Sequence, residues 1–351
     1  MPQHGGNLLE AARRYGRAPE AWLDLSTGIN PGAYPVPSLP PRVWQQLPQQ
    51  DDGLIDVALD YYAAPALLPV AGSQQAIQLL PGLRAPGRVG VLSPSYNEHA
   101  YRWQQGGHTL VPLRLNTHGD TLEDSIDSQI DSQIDSVDVL VVVNPNNPTG
   151  HRFGPEQLLD WHRRLQARGG WLVVDEAFID ATPEQSLAAH SHLPGLVVLR
   201  SIGKFFGLPG LRGGFVLAET GLLAALSERL GPWAVAGPAR FIMQTALADD
   251  TWQQRMREQL PRASERLVHL LSEYGLPVGG HSALFAWLPT STAHALHEQL
   301  AHAGIWSRYF DPAAGGPGLR LGLPGEEADW QRLGIALAQI HQSKCNQAVQ
   351  A

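Results

Sequence analysis

Lysine is nearly missing from this chain: of 25 lysines and arginines in 351 residues, only Lys204 and Lys344 are lysines. Lys204 follows the apolar run Val197-Val198-Leu199, in the segment Arg200-Ser201-Ile202-Gly203-Lys204, so a composition that otherwise uses arginine has kept an amine there. Cysteine is scarcer still. Cys345 stands alone in a polar tail, which excludes an intrachain disulfide and a cysteine metal cluster and fits a reducing compartment, so the cytoplasm is the expected location. Runs of basic residues are absent and the formal net charge is −8, which leaves no positive surface for nucleic acid or anionic lipid. Small-molecule partners are expected instead. No apolar run approaches the roughly 20 residues of a membrane span. The start, Met1-Pro2-Gln3-His4-Gly5-Gly6-Asn7, lacks the charged and apolar stretches of a signal peptide, so a soluble, unprocessed chain is expected.

What is present is enough apolar material for a substantial core, 43 % hydrophobic against 17 % charged. From about residue 70 to 220, the runs Val89 to Leu92, Val137 to Val143, Trp171 to Val174, Val197 to Leu199 and Phe215 to Ala218 alternate with amphipathic stretches. Short, continuously apolar strands separated by helices predict a doubly wound α/β domain whose mainly parallel sheet is covered on both faces. Gln157 to Ala167 is predicted as a crossover helix with Leu158, Trp161 and Leu165 on its buried face. Beyond about residue 235 a long helix is expected over Thr251 to Tyr274, then strands at Ala283 to Leu288 and Gly318 to Leu323. The expected division is an N-terminal arm over 1–35, extended because it is rich in proline and glycine, a large domain over 36–235 and a smaller α/β domain over 236–351. The repeat from Ser125 to Ser136 sets isoleucine at every fourth position among serine, aspartate and glutamine. A helical stripe would fit, but serine and aspartate are weak helix formers, and the segment is read as a surface expansion without catalytic meaning.

Asn144-Pro145-Asn146-Asn147-Pro148-Thr149-Gly150 follows one strand directly, Asp175-Glu176 ends the next, and Lys204 stands just past the third. Asn147 to Asp175 spans 28 positions and Asp175 to Lys204 spans 29, each near one strand–helix repeat. Three successive strand ends therefore deliver an amide, a carboxylate and an amine to the edge where open α/β sheets bind ligands.

On these residues the chain resembles the fold-type I enzymes that use pyridoxal phosphate, the aspartate aminotransferase superfamily, over most of its length. The resemblance implies pyridoxal 5'-phosphate as cofactor, with Asn147 on its phenolic oxygen and Asp175 pairing the pyridine nitrogen. The same resemblance implies that Lys204 forms the Schiff base and moves protons, and that Arg212 in Gly210-Leu211-Arg212-Gly213-Gly214 binds the cofactor phosphate. It further implies a phosphate cup at Gly72, Ser73 and Gln74, a phosphate contact from Ser201, ring stacking by Tyr96, and a grip on the substrate carboxylate by Arg320. The family is dimeric, so a homodimer is expected.

Three further stretches, His4-Gly5-Gly6-Asn7, Asp24-Leu25-Ser26-Thr27-Gly28-Ile29-Asn30-Pro31 and Asp175-Glu176-Ala177-Phe178-Ile179-Asp180, are similar to those of the threonine-phosphate decarboxylases of cobalamin biosynthesis, relatives of histidinol-phosphate aminotransferase. This branch implies a phosphorylated amino acid as substrate, contacted by His4, Gly5, Asn30, Asn147, Arg308 and Arg320, and loss of its carboxyl group. Transamination of the histidinol-phosphate type stands as the alternative, and a non-catalytic regulatory protein on the same fold as a minor one.

The sequence departs from the superfamily at three places. Phe178 stands where many aminotransferases have a tyrosine, Leu47-Pro48 where relatives carry a tyrosine reaching the neighbouring subunit's cofactor phosphate, and Gly203 where a small hydroxyl residue often precedes the lysine. Other chemistries fail on spacing. His297 and His302 are five apart, about 140° round a helix, and do not share a zinc ion. Gly203-Lys204 lacks the remaining residues of a phosphate-binding P-loop, and no Gly-x-Ser-x-Gly elbow occurs.

Overall fold

The computed structural model describes residues 5–114, 122–311 and 316–350. His4 lies outside them. After the short strand β1 (Leu23–Asp24), seven strands form one sheet: β2 (Leu68–Val70), β3 (Arg88–Ser93), β4 (Thr109–Arg114), β5 (Val139–Val143), β6 (Trp171–Asp175), β7 (Leu196–Ser201) and β8 (Gly214–Ala218). Their spatial order is β2-β8-β7-β6-β5-β3-β4. Only β8 runs against its neighbours β2 and β7; the other pairings are parallel. The apolar runs are continuous because both faces are covered: Val142, Val174 and Val198 enter one core, while Val141, Val173 and Val197 enter the other.

The crossover helix runs Pro155–Gln166 and buries Leu158, Trp161 and Leu165, as their spacing predicts. The repeat behaves differently from the sequence reading. It lies in a helix, Leu122–Gln133, and a following turn, Ile134–Ser136, with Ile126, Ile130 and Ile134 fully buried. Asp131 accepts from the Trp161 indole at 2.9 Å and Asp135 pairs with Arg164 at 2.7 Å. Tertiary packing of one isoleucine stripe outweighs the poor propensity of the residues between, so this is a core element rather than a surface expansion.

The arm is only partly extended. Leu8–Tyr15 is helical, with Asn7 accepting from the Glu10 amide at 3.3 Å and donating to its carboxylate at 2.7 Å, and Gly16 in the left-handed region closing it. The second half of the chain supplies the helices Asp250–Glu273 and Ala293–His302 and the strands β9 (Gly280–Ser282), β10 (Phe285–Pro289), β11 (Ile305–Trp306), β12 (Arg308–Phe310) and β13 (Gly318–Gly322). β12-β13-β10-β9 form an antiparallel sheet, while β1 pairs parallel with β11 and brings the arm onto this smaller unit. Arg14 reaches Glu298 at 2.7 Å, and Tyr15, Trp22 and Trp306 pack edge to face. Among the described residues no helix is long and apolar enough to cross a membrane.

Candidate active site

β5, β6 and β7 end side by side, with Val143 paired to Asp175 and Asp175 to Leu199, and their loops open toward the small sheet. After β5, three asparagines divide the work. Asn144 exchanges hydrogen bonds with the main chain of Phe153, and Asn146 donates to Pro94 O at 3.0 Å and Thr149 Oγ1 at 2.8 Å. These two fix the loop. Asn147 faces the cavity, where its Oδ1 accepts from the Arg320 guanidinium.

Asp175 is buried at the end of β6. Its Oδ1 accepts from the Ala177 amide at 3.1 Å and its Oδ2 lies 2.9 Å from His99 Nε2. Sequence reasoning missed His99. The signal was its place three residues after Tyr96, which sets both on the start of the helix Asn97–Gln105, their rings edge to face at 6.1 Å.

Beyond β7, Ser201 Oγ accepts from the Gly203 amide at 3.2 Å, and Lys204 Nζ stands 5.4 Å from the centre of the Phe178 ring. Burial, reinforced by the Arg320 and Arg212 guanidiniums and opposed by Asp175, pushes the Lys204 amine down to about 8. Gly72 has φ +77°, and a Cβ on it would meet Arg212 Nη2 at 2.8 Å, so the Gly72-Ser73 loop and Arg212 come together as the sequence reading requires. Gln74 spends its side chain locally: it donates to Glu98 at 2.6 Å and accepts from the Tyr96 hydroxyl at 3.1 Å. Burial and the nearby Asp175 and Glu98 carboxylates raise the Tyr96 phenol, which stays protonated.

Two hollows meet here. One, about 120 Å³, is lined by Gly72, Ser73, Gln74, Asp175, Ser201 and Arg212, with Phe178 on its wall. The other, about 150 Å³, is lined by Gly5, Ser26, Arg308, Phe310 and Arg320. Tyr96, Asn147 and Lys204 border both. Arg308 and Arg320 are direct cross-strand partners on β12 and β13. Arg320 also donates to Ser26 O at 2.7 Å, while its buried Nε has no partner among the described residues. Burial, with Arg308 adding to it and Asp24 opposing, pushes Arg320 down to about 9, and burial lowers Arg308. Ser26 and Phe310 were not foreseen.

Asn30 is placed otherwise. It does not line either hollow; its Nδ2 donates to Phe205 O at 2.8 Å and its Oδ1 accepts from the Gly32 amide at 2.8 Å. Leu47 and Pro48 line a separate surface hollow with Phe241 and Gln244. His297 bonds Ser307 Oγ at 2.8 Å, and His302 packs edge to face on Tyr15.

The donor set fits a planar cationic heterocycle carrying a phosphate and a carbonyl. A buried carboxylate stands at one end, a cradle that a Cβ at Gly72 would fill stands beside Arg212, and an amine of lowered basicity lies between.

Residues 23–334 match the family model described as aminotransferase class I and II. Over 337 residues the chain is 53 % identical to a threonine-phosphate decarboxylase of Pseudomonas aeruginosa, covering 96 % of this chain and 97 % of that one. It is 40 % identical over 343 residues to a threonine-phosphate decarboxylase of a Sinorhizobium species, covering 96 % and 98 %. The fold superposes on the histidinol-phosphate aminotransferase of Sinorhizobium meliloti, solved in complex with pyridoxal-5'-phosphate, with a TM-score of 0.80 at 18 % identity, covering 98 % of this chain and 96 % of that one.

Proposed function

Because the chain belongs to the class I and II aminotransferase family, we propose that it is a pyridoxal-phosphate-dependent carboxy-lyase converting O-phospho-L-threonine to (R)-1-amino-2-propanol O-phosphate in cobalamin biosynthesis. The observation that carries the substrate is the direct opposition of Arg308 and Arg320 on β12 and β13, beside Lys204. Like charges directly opposite across a sheet repel. A ligand with two anionic groups, a carboxylate and a phosphate, turns that repulsion into attraction at both guanidiniums.

When bound, the cofactor supplies a carbonyl for the amine and a ring that accepts the electron pair left at Cα. Lys204, whose lowered basicity leaves about half of it as free base near pH 8, is the amine that would hold the cofactor's carbonyl; once the substrate's own amine takes its place there, Lys204 would be free to carry a proton to Cα. Asp175, held by His99 and the Ala177 amide, would pair with the ring nitrogen and favour its protonated form. Ser73, Ser201 and Arg212, with the main chain of Gln74, would hold the cofactor phosphate beside Gly72, and Tyr96 would cover the ring. Asn147 Nδ2 would donate to the phenolic oxygen, its orientation set by Arg320 on Oδ1. Arg320 and Arg308, with Gly5 at the mouth of the same hollow, would hold the two anionic ends of the substrate and so orient its Cα–carboxylate bond for loss of carbon dioxide, with Lys204 placed to return a proton to Cα; His4, outside the described residues, is proposed as a further substrate contact. The decarboxylase relatives at 53 % and 40 % identity, and Phe178 in place of a tyrosine, favour this outcome over transamination.

The test is carbon dioxide release from O-phospho-L-threonine by the loaded enzyme with no keto acid present. Release over many turnovers supports the reading. No release, with conversion of histidinol phosphate when 2-oxoglutarate is supplied, replaces it by the aminotransferase. The cytoplasm and a homodimer are part of the proposal; Trp44, Leu47 and Trp233 are each more than half exposed, apolar side chains that a second copy would cover, and the oligomeric state is to be read by sedimentation.

A further inference from the structure

Behind the ends of β6 and β7, on the side away from the cavity, lies a buried ionic cluster that the reaction does not touch. Arg200, between the Leu199 that pairs with Asp175 and the Ser201 that lines the cavity, donates through Nη1 to Glu176 at 2.8 Å and through Nη2 to Asp180 at 2.6 Å. All three side chains are buried. The Tyr62 ring lies 4.5 Å from the guanidinium, and Tyr61 donates to Asp180 at 3.0 Å. Such a cluster is a poor source of stability, since desolvating three charges offsets most of their attraction and apolar residues of similar volume do as well. Here Arg200 Nε, Asp180 Oδ2 and the Tyr62 hydroxyl also lack partners among the described residues.

What the cluster does supply is position. Glu176 is the residue after Asp175, and it is tied by its amide to Leu199 O at 2.9 Å and by its carboxylate to Arg200 and to the Leu187 amide at 2.8 Å. Asp180 anchors the same turn four residues on. Between the two anchors lie the Ala177 amide that bonds Asp175 Oδ1 and the Phe178 ring beneath Lys204 Nζ.

We infer that the Glu176–Arg200–Asp180 triad is a positioning device for Asp175, fixing the turn that aims its carboxylate at the cofactor's ring nitrogen. The inference rests on the proposed cofactor reading. Lysine cannot span both carboxylates as the guanidinium fork does, so Arg200→Lys leaves one anchor loose; Glu176→Gln removes the other end of the pair. In either variant a ring nitrogen less firmly paired would be less fully protonated, and the lost positive charge would ease protonation of the nitrogen at Lys204, so the midpoint of the pH titration of the bound cofactor's visible absorbance moves up. The kcat per bound cofactor falls about 10- to 100-fold with KM for O-phospho-L-threonine unchanged, as for a misplacement of about 1 Å. A lowered Tm with wild-type titration midpoint and kcat makes the triad a brace of the fold only and overturns the inference. Should Arg200→Lys not fold, Glu176→Gln decides by the same readouts. Wild-type protein that shows no cofactor absorbance removes the site reading itself, and the triad's role with it, a failure distinct from unchanged variants.

Discussion

The Asn30 amide donates to the Lys204 carbonyl at 3.0 Å, and the Asn30 side chain reaches on to Phe205 O at 2.8 Å. One residue of the arm thereby closes the turn that carries the amine. Its carboxamide is spent inside the protein, so Asn30→Ala acts first on that turn. It leaves the buried Phe205 carbonyl and Gly32 amide without this partner, a loss of about 1–3 kcal/mol. The expected result is a lower Tm and weaker cofactor retention with little change in KM; a raised KM with unaltered Tm would return Asn30 to direct substrate contact.

The depressed basicity of Lys204 gives a pH dependence with a definite sign. Below about 8 the ammonium form dominates and cannot attack a carbonyl; above it the free amine does. The rate at which apo-protein captures pyridoxal phosphate therefore rises with pH through a midpoint near 8. A midpoint near the ordinary lysine value would mean that Arg320, Arg212 and burial do not act on the amine as the geometry implies. Lys204→Ala removes the bound cofactor's Schiff-base absorbance and turnover together.

Much of this was legible from strand ends. Asn147, Asp175 and Lys204 are separated by single strand–helix repeats, and a parallel sheet must bring such positions to one edge, so their meeting follows from periodicity alone. Arg308 and Arg320 meet for a reason that spacing does not carry, the register of β12 against β13. His99 was hidden because a histidine near a helix start has no pattern of its own; its significance comes from Asp175, 76 positions later. The Ser/Asp/Gln/Ile repeat shows the reverse case, where propensity argued against a helix and burial of one side-chain stripe decided for it.

That stripe is open to measurement. Ile130→Ala removes a fully buried side chain and should lower stability by about 2–5 kcal/mol, read by denaturant unfolding, while kcat per folded molecule stays as in the wild type. A change within about 0.5 kcal/mol would restore the segment to the surface.

Arg308→Gln separates the two anion sites. Loss of one charged partner for a buried anion costs about 2–4 kcal/mol, roughly 30- to 1,000-fold in kcat/KM. If Arg308 meets the substrate phosphate, the preference for O-phospho-L-threonine over threonine shrinks by that factor while cofactor affinity holds. If the preference survives and both substrates weaken equally, Arg308 serves the carboxylate.

Gly72→Ala tests the cofactor half. At φ +77° and ψ 153° an L side chain is strained by about 1–3 kcal/mol, and its Cβ would displace the Arg212 guanidinium, 2.8 Å away. Both effects fall on the groups assigned to the cofactor phosphate, whereas Arg308 and Arg320 line the other hollow. Equilibrium titration should show pyridoxal phosphate held about tenfold or more less tightly, with KM for the amino acid unchanged once the cofactor is saturating. An unaltered cofactor Kd in a variant whose Tm has dropped would mean that Gly72 serves only the turn after β2, and that the phosphate is gripped elsewhere.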